Sequence, residues 1–248
     1  MSKPKVTQEQ LRKEHLRSSI LIIGLVAAGI GLIVITVVNT TANHTPSTVD
    51  QLPFKMVTLS TIYARANGLH LGNPAAPVKM DVWQDFQCPI CTYYTENFEP
   101  RVISNYVETG KVYYTYHFLP IIELNSNPST RESHQAANAA LCANEQGHFW
   151  DYHNLLFANW IGENVGGFSD TRLVVFARAL NLNLNKFNQC FQSSRYEAQI
   201  DQDLAAGQAQ GAQGTPSIYL NGTLLTPGYL PTYDQLTQAI DAALAGHQ

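Results

Sequence analysis

The spacing of apolar and polar residues changes several times along the chain, and each change marks an element. Val78 to Gln84 is a short apolar run after the turn-rich Gly72-Asn73-Pro74-Ala75-Ala76-Pro77, and it predicts a strand. From about Pro89 to Glu108 the apolar positions recur at helical spacing, ending at Thr109-Gly110 with a glycine suited to a C-terminal cap. Lys111 to Phe118 alternates with Val and Tyr and predicts a second strand, stopped by Pro120. A long stretch without strand character follows. Ala, Leu and Phe recur there at helical intervals over about 131–145, 148–159, 170–180, 184–193 and 196–210, with Thr130 a candidate N-cap for the first helix. Strand character returns at Pro216 to Leu220, turns at the hairpin signal Asn221-Gly222 and runs back through Thr223 to Leu225. Pro231 to Ala245 closes the chain as a helix, with Thr232 as N-cap and Leu236, Ile240, Ala243 and Leu244 at helical spacing. The predicted order is strand, helix, strand, a helical insert over about 127–213, hairpin, helix.

Ahead of this pattern lies a different one. Residues 20–38, ILIIGLVAAGIGLIVITVV, carry no charge and as a helix would span roughly 28 Å, close to the hydrocarbon thickness of a bilayer. The run is longer than a cleavable signal core, and Asn39-Thr40-Thr41-Ala42 is a poor cleavage site, so an uncleaved anchor is expected. Lys3, Lys5, Arg12, Lys13 and Arg17 precede it, which puts residues 1–19 in the cytoplasm and everything after residue 38 outside. Residues 39–69 begin Thr/Asn/Pro-rich and read as a stalk or linker. Within it, Phe54 to Thr61 either adds a short strand or packs onto the domain, which is expected to occupy 70–248. A net charge of −4 gives no footprint for nucleic acid.

The topology then sets the chemistry of four cysteines on the outer, disulfide-permissive side. Cys88 falls where the first strand passes into its helix; unpaired N–H groups and the helix dipole there favour a thiolate. Cys91 lies on the same helical face, about 5–6 Å away between Cβ atoms, near disulfide reach. Pro89 sits in the first turn, where its missing N–H costs nothing, and Ile90 completes the loop. Cys88 is expected to be exposed and to form the mixed disulfide, with Cys91 buried and resolving it. A C-x-x-C pair is equally half of a zinc site, with Cys142, Cys190, His117, His134, His148 or His153 completing it, or an inert disulfide. The lack of a second C-x-x-C and the wide spacing of the other cysteines weigh against metal, so neither a metal nor a bound cofactor is expected. Cys142 and Cys190, on two helices of the insert, are expected to form a structural disulfide, since free thiols suit an oxidising compartment poorly.

The strand–Cys88-Pro89-Ile90-Cys91–helix unit, together with Gly214-Thr215-Pro216-Ser217, resembles the thioredoxin fold, an α/β architecture. The helical insert, Asp85-Phe86-Gln87-Cys88-Pro89-Ile90-Cys91 and Phe149-Trp150-Asp151-Tyr152-His153 resemble the DsbA-like branch of extracytoplasmic thiol–disulfide oxidoreductases, over about residues 70–245. The resemblance implies a cis Pro216 beside the cysteines, with the Thr215 backbone pairing with a substrate strand; read alone, Pro216 could equally begin an edge strand. It also implies a buried acid six residues before the first cysteine. That position is Val82, and strand alternation turns Asp81 to the other face, so Asp81 and Asp85 are left out of the site and the proton route of Cys91 stays open. The implied function is donation of the Cys88–Cys91 disulfide to reduced or unfolded exported proteins. Re-oxidation would come from a quinone-linked membrane thiol oxidase of the DsbB or vitamin K epoxide reductase type. A thiol reductase serving cytochrome maturation and a non-catalytic binding module with a static pair are the alternatives.

Overall fold

The structure, a computed structural model, describes residues 52–57, 66–126 and 130–246. The predicted anchor at 20–38 lies outside the described residues. Among the described residues no helix is long and apolar enough to cross a membrane.

The centre of the molecule is a parallel strand pair, β3 (Val78–Gln84) and β4 (Val112–Phe118), with Val78 opposite Val112 and Gln84 opposite Phe118. A hairpin of β5 (Ser217–Leu220) and β6 (Thr223–Pro227) adds antiparallel to β3. Its turn residues Asn221 and Gly222 both have positive φ, 49° and 75°, as a two-residue hairpin turn requires. On the far side of β4 lie two short strands, β2 (His70–Leu71) and β1 (Ala66–Asn67), giving the order β1-β2-β4-β3-β5-β6. The sheet thus begins at residue 66, inside the stretch expected to be stalk. Two-residue strands have no period to read, which is why the alternation did not reveal them.

The helix after β3 is not continuous as expected. It runs as α1 (Pro89–Asn97), breaks at Phe98, restarts as α2 (Glu99–Val102) and loosens into a π-helical turn over Ile103–Val107. Pro100 gives the reason: it has no N–H to donate and its ring crowds the carbonyl four residues earlier. The insert comprises α3 (Ile122–Ser126), α4 (Glu132–Asn144), α5 (Phe149–Ala158), α6 (Asp170–Ala179), α7 (Leu184–Gln192) and α8 (Glu197–Ala209). Thr130 does not cap α4; Arg131 does, at φ 51°, and the first amides are met by a side chain from α3. The backbone N–H groups of Ser133 and His134 donate to Glu123 Oε2, at 3.1 and 3.3 Å. The closing helix, α9 (Tyr233–Ala245), carries a full capping box between Thr232 and Gln235.

Strand alternation divides the packing. Met80, Val82, Tyr114 and Tyr116 join one large core with Cys91 and Tyr94 of α1, Phe149 and Phe157 of α5, and Leu236 and Ile240 of α9. Trp83 and Tyr219 face the other way, onto α8. Gly207 permits that approach, because a Cβ there would stand 2.8 Å from the Trp83 ring. Residues 52–57 dock on the insert without forming a strand, the second of the two alternatives expected from Phe54 onward. Asn159 accepts from the Lys55 N–H at 2.6 Å and donates to its carbonyl at 2.8 Å, while Phe54 meets Phe176 edge-on.

Candidate active site

The loop from Asp85 to Cys88 is shaped by its own first residue. Asp85 Oδ1 accepts from the Gln87 N–H at 2.8 Å, and the Cys88 N–H donates to the Asp85 carbonyl at 3.0 Å. This is the side-chain-closed turn that aspartate favours. Cys88 is the N-cap of α1, with extended backbone, and Pro89 occupies the first helical turn. Both Cys88 and Cys91 are free thiols. Cys88 is only 5% exposed and Cys91 0%, so the expectation of an exposed Cys88 is corrected. The reason is the facing loop: the Thr215–Pro216 bond is cis, and the Cys88 thiol donates to the Thr215 carbonyl at 3.4 Å.

The two thiols differ sharply in acidity. Hydrogen bonding from Cys91, against the cost of burial, lowers Cys88 to about 7, with help from Thr215 and the N–H groups of Cys91 and Ile90. Those amides belong to the first turn of the helix, whose N–H groups have no other helical partner. Burial, and then the Cys88 sulfur, push Cys91 well above the ordinary thiol range. The arrangement supplies one nucleophile and leaving group at the helix end and one reserved thiol beneath it.

A polar network ties this loop to the insert. Asp85 Oδ2 accepts from the Ile122 N–H at 2.9 Å, and the Ser133 hydroxyl donates to Asp85 at 2.8 Å. Gln87 donates to Ser133 and accepts from the Asn164 N–H, and Trp160 Nε1 donates to the Gln87 carbonyl at 2.7 Å. Burial raises Asp85 to about 6, opposed by its donors Ile122, Gln87 and Ser133. Asp85 was left out of the expected site; it is 2% exposed and organises the loop. The spacing Asp85-x-Gln87 signals its turn, but the partners from the insert leave no local trace. Exposed apolar side chains sit on the segments so joined, Ile90 and Tyr93 of α1 and Ile161 and Val165 after α5, and Tyr229 follows Gly228, which packs against Gly214 beside Thr215.

The other candidate ligands are elsewhere. Cys142 of α4 and Cys190 of α7 are bonded to each other, with an S–S distance of 2.00 Å, and so offer Cys88 and Cys91 no thiolates. His117 stacks on Trp83 on the opposite face of the sheet, 3.1 Å from Asp81 Oδ1. Burial would lower it, but Asp203 and Asp81 raise it to about 9. His134 lies between Glu123 and Asp201, and His148 pairs with Asp151. His153 is enclosed by Phe86, Tyr116 and Phe157, and burial lowers it to about 4. Val82 is fully buried between Tyr116 and Ile218 in the sheet register.

Comparison with known proteins gives a consistent picture. A family profile described as Thioredoxin matches residues 65–242. "Probable disulfide bond formation protein D" of Bacillus cereus is 26% identical over 190 residues, covering 74% of this chain and 82% of the relative. The oxidised BdbD of Bacillus subtilis superposes with a TM-score of 0.63 at 21% identity, covering 72% of this chain and 94% of that one. The α-DsbA1 of Wolbachia pipientis superposes with a TM-score of 0.61 at 22% identity, covering 73% and 92%.

Proposed function

This chain belongs to the thioredoxin family and is a thiol–disulfide oxidoreductase, and we propose that it works outside the cytoplasm, passing the Cys88–Cys91 disulfide to reduced cysteines of exported proteins. The observation that carries this reading is the geometry of the pair: Cys88 caps the helix start against the carbonyl of the cis Thr215–Pro216 loop, with Cys91 fully buried one turn on. A substrate thiolate attacks Cys88 Sγ and Cys91 departs. A second substrate thiolate then attacks the substrate sulfur of the mixed disulfide, and Cys88 departs as a stabilised thiolate. A leaving thiol of lowered pKa speeds that release and favours the reduced enzyme, which together make an oxidant.

The apolar rim of Ile90, Tyr93, Ile161, Val165 and Tyr229 suits unfolded clients, whose apolar side chains are still uncovered. The names of the relatives, which speak of disulfide bond formation, support the same direction. The uncharged run at 20–38 supports tethering to the membrane, where a quinone-linked thiol oxidase of the DsbB or vitamin K epoxide reductase type would renew the disulfide.

One observation favours a second reading, a thiol reductase of the cytochrome-maturation kind. The Cys88 value of about 7 resembles that of thioredoxin, whereas DsbA reaches about 3.5. The reduction potential of the Cys88–Cys91 pair separates the two. A potential towards that of DsbA, about −120 mV, together with oxidation of a reduced unfolded protein, is the expected result; one near thioredoxin's, about −270 mV, would replace oxidase by reductase. A Cys88 titrating near 8.5 with no exchange activity would leave only a binding module.

A further inference from the structure

Residues 52–57 belong to no helix or strand, yet their backbone is gripped by named side chains of the insert. Asn159, buried just after α5, takes both polar groups of Lys55: its Oδ1 accepts from the N–H at 2.6 Å and its Nδ2 donates to the carbonyl at 2.8 Å. The same Nδ2 donates to the Leu155 carbonyl at 2.8 Å, which fixes the orientation of the amide. Three residues before Lys55, the Leu52 carbonyl accepts from Arg172 Nη1 at 3.3 Å. Between the two grips, Phe54 meets Phe176 of α6 edge-on.

The two residues that hold this segment also hold the two ends of one loop. Asn159 is followed directly by Trp160, whose Nε1 donates to the Gln87 carbonyl. Arg172, itself buried, donates from Nε to the Gly167 carbonyl at 3.0 Å while its Nη1 reaches Leu52. The loop closes on itself, since a Cβ at Gly167 would stand 2.9 Å from the Ile161 side chain. Residues 160–168 therefore form a compact unit with its ends together. The middle of the loop reaches the active site again, where the Asn164 N–H donates to Gln87 Oε1 at 2.6 Å. Glu132 braces the far end, accepting from the N–H groups of Gly166 and Phe168. Gln87 is buried and immediately precedes Cys88, so the placement of its peptide bears on how the Cys88 sulfur meets the Thr215 carbonyl.

We propose that Asn159 and Arg172 are positioning residues for the exchange reaction at Cys88, clamping residues 52–57 as a strap across both ends of loop 160–168 so that Gln87 is held in place behind the nucleophile. Without the strap the loop keeps its bonds to Glu132 and Gln87, but its two ends lose the segment they share. Local opening then costs less, and the bonds from Trp160 and Asn164 to Gln87 are made for a smaller fraction of the time. A Gln87–Cys88 peptide that wanders presents the thiolate less consistently to the first-turn amides that stabilise it. The inference rests on Cys88–Cys91 being a working redox pair and holds for an oxidase or a reductase alike.

The test compares three variants of the reduced full-length protein with the unsubstituted chain. Lys55→Pro removes the N–H that Asn159 accepts and changes no residue of the loop or the insert. Asn159→Ala removes both bonds to Lys55, and Met56→Ala alters only an exposed side chain of the strap. Alkylation of Cys88 by iodoacetamide, in which the thiolate displaces iodide, is followed against pH, and its midpoint reports the thiolate population. Hydrogen-exchange mass spectrometry reports the loop. Lys55→Pro and Asn159→Ala are each expected to speed amide exchange across 160–168 at least about threefold and to raise the alkylation midpoint by about half a pH unit. Met56→Ala is expected to move neither. If Asn159→Ala fails to fold, because its amide also holds the end of α5, Lys55→Pro decides alone. Faster exchange with an unmoved midpoint would leave residues 52–57 a structural support and overturn the positioning role. Unchanged exchange in Lys55→Pro, or an equal shift in Met56→Ala, would overturn it too. A midpoint near 8.5 in the unsubstituted protein, with no exchange with a substrate disulfide, would instead overturn the redox reading itself.

Discussion

Trp160 Nε1 donates to the carbonyl oxygen of Gln87 at 2.7 Å, joining the loop after α5 to the residue immediately before Cys88. The insert therefore holds the reactive loop from outside the thioredoxin core. Replacing Trp160 by Phe removes the donor and keeps most of the ring. We expect a loss of about 1 kcal/mol, the usual net worth of one such bond, and faster amide exchange across 160–168. Denaturant midpoints and hydrogen-exchange mass spectrometry measure the two. Unchanged exchange would mean that the loop is held by other contacts.

Cys88 makes the stability of the dithiol form depend on pH. Its thiol falls from an ordinary 9.0 to about 7 on folding. A group depressed in the folded state adds stability that is present above its unfolded value and is lost as pH falls through the folded one. Two units correspond to about 2–3 kcal/mol, gained between roughly pH 7 and 9. Cys91, raised by burial, works in the opposite sense and only above that window. Unfolding the dithiol form by urea at pH 6 and pH 9 should show this gain. Cys88→Ser should abolish it.

Asp85 acts in the other direction. Burial raises it from 3.8 to about 6, so its contribution is complete below its unfolded value and is lost as pH rises through 6. The difference corresponds to about 3 kcal/mol. Relative to Asp85→Asn, which carries no titrating charge, the protein should gain stability as pH is lowered from 7 to 4. A pH-independent difference between the two urea midpoints would exclude the effect.

The Cys142–Cys190 bond spans a sequence separation of 48 residues. In the chain-entropy account, closing a loop of that length stabilises by about 4 kcal/mol. Cys142→Ser with Cys190→Ser should therefore lower the unfolding free energy, measured by denaturant titration, by that amount, while leaving the Cys88–Cys91 exchange kinetics intact in the protein that remains folded.

What could be read in advance followed the range of the forces involved. β3, the hairpin at Asn221-Gly222 and the capped α9 are fixed by neighbouring residues, and their boundaries were legible from spacing and turn chemistry. Five of the insert helices were legible for the same reason, but the short α3 (Ile122–Ser126) was not. Cys88, Cys91, Thr215 and Pro216 were marked by motif, and the fold brings them together. The break at Phe98 was encoded in Pro100, but apolar spacing alone carried the prediction across it. Glu99 was not legible at all: flanked by Asn97, Phe98, Pro100 and Arg101 it looks like a solvated residue. It is nevertheless 0% exposed and accepts from the Tyr114 hydroxyl, supplied by a strand fifteen positions later. The roles of Asp85 and Gln87 likewise depend on Ile122, Ser133 and Asn164, contacts made only once the insert has docked.

The full burial of both Cys142 and Cys190 has a consequence for the protein's own biogenesis. A bond sealed on every side must be made while the chain is still open, by an oxidant acting on an unfolded nascent molecule. Each new copy is thus a client of thiol oxidation, the chemistry we propose for its finished form. Once folded, its two cysteine pairs are insulated from each other, and only one remains open to trade electrons.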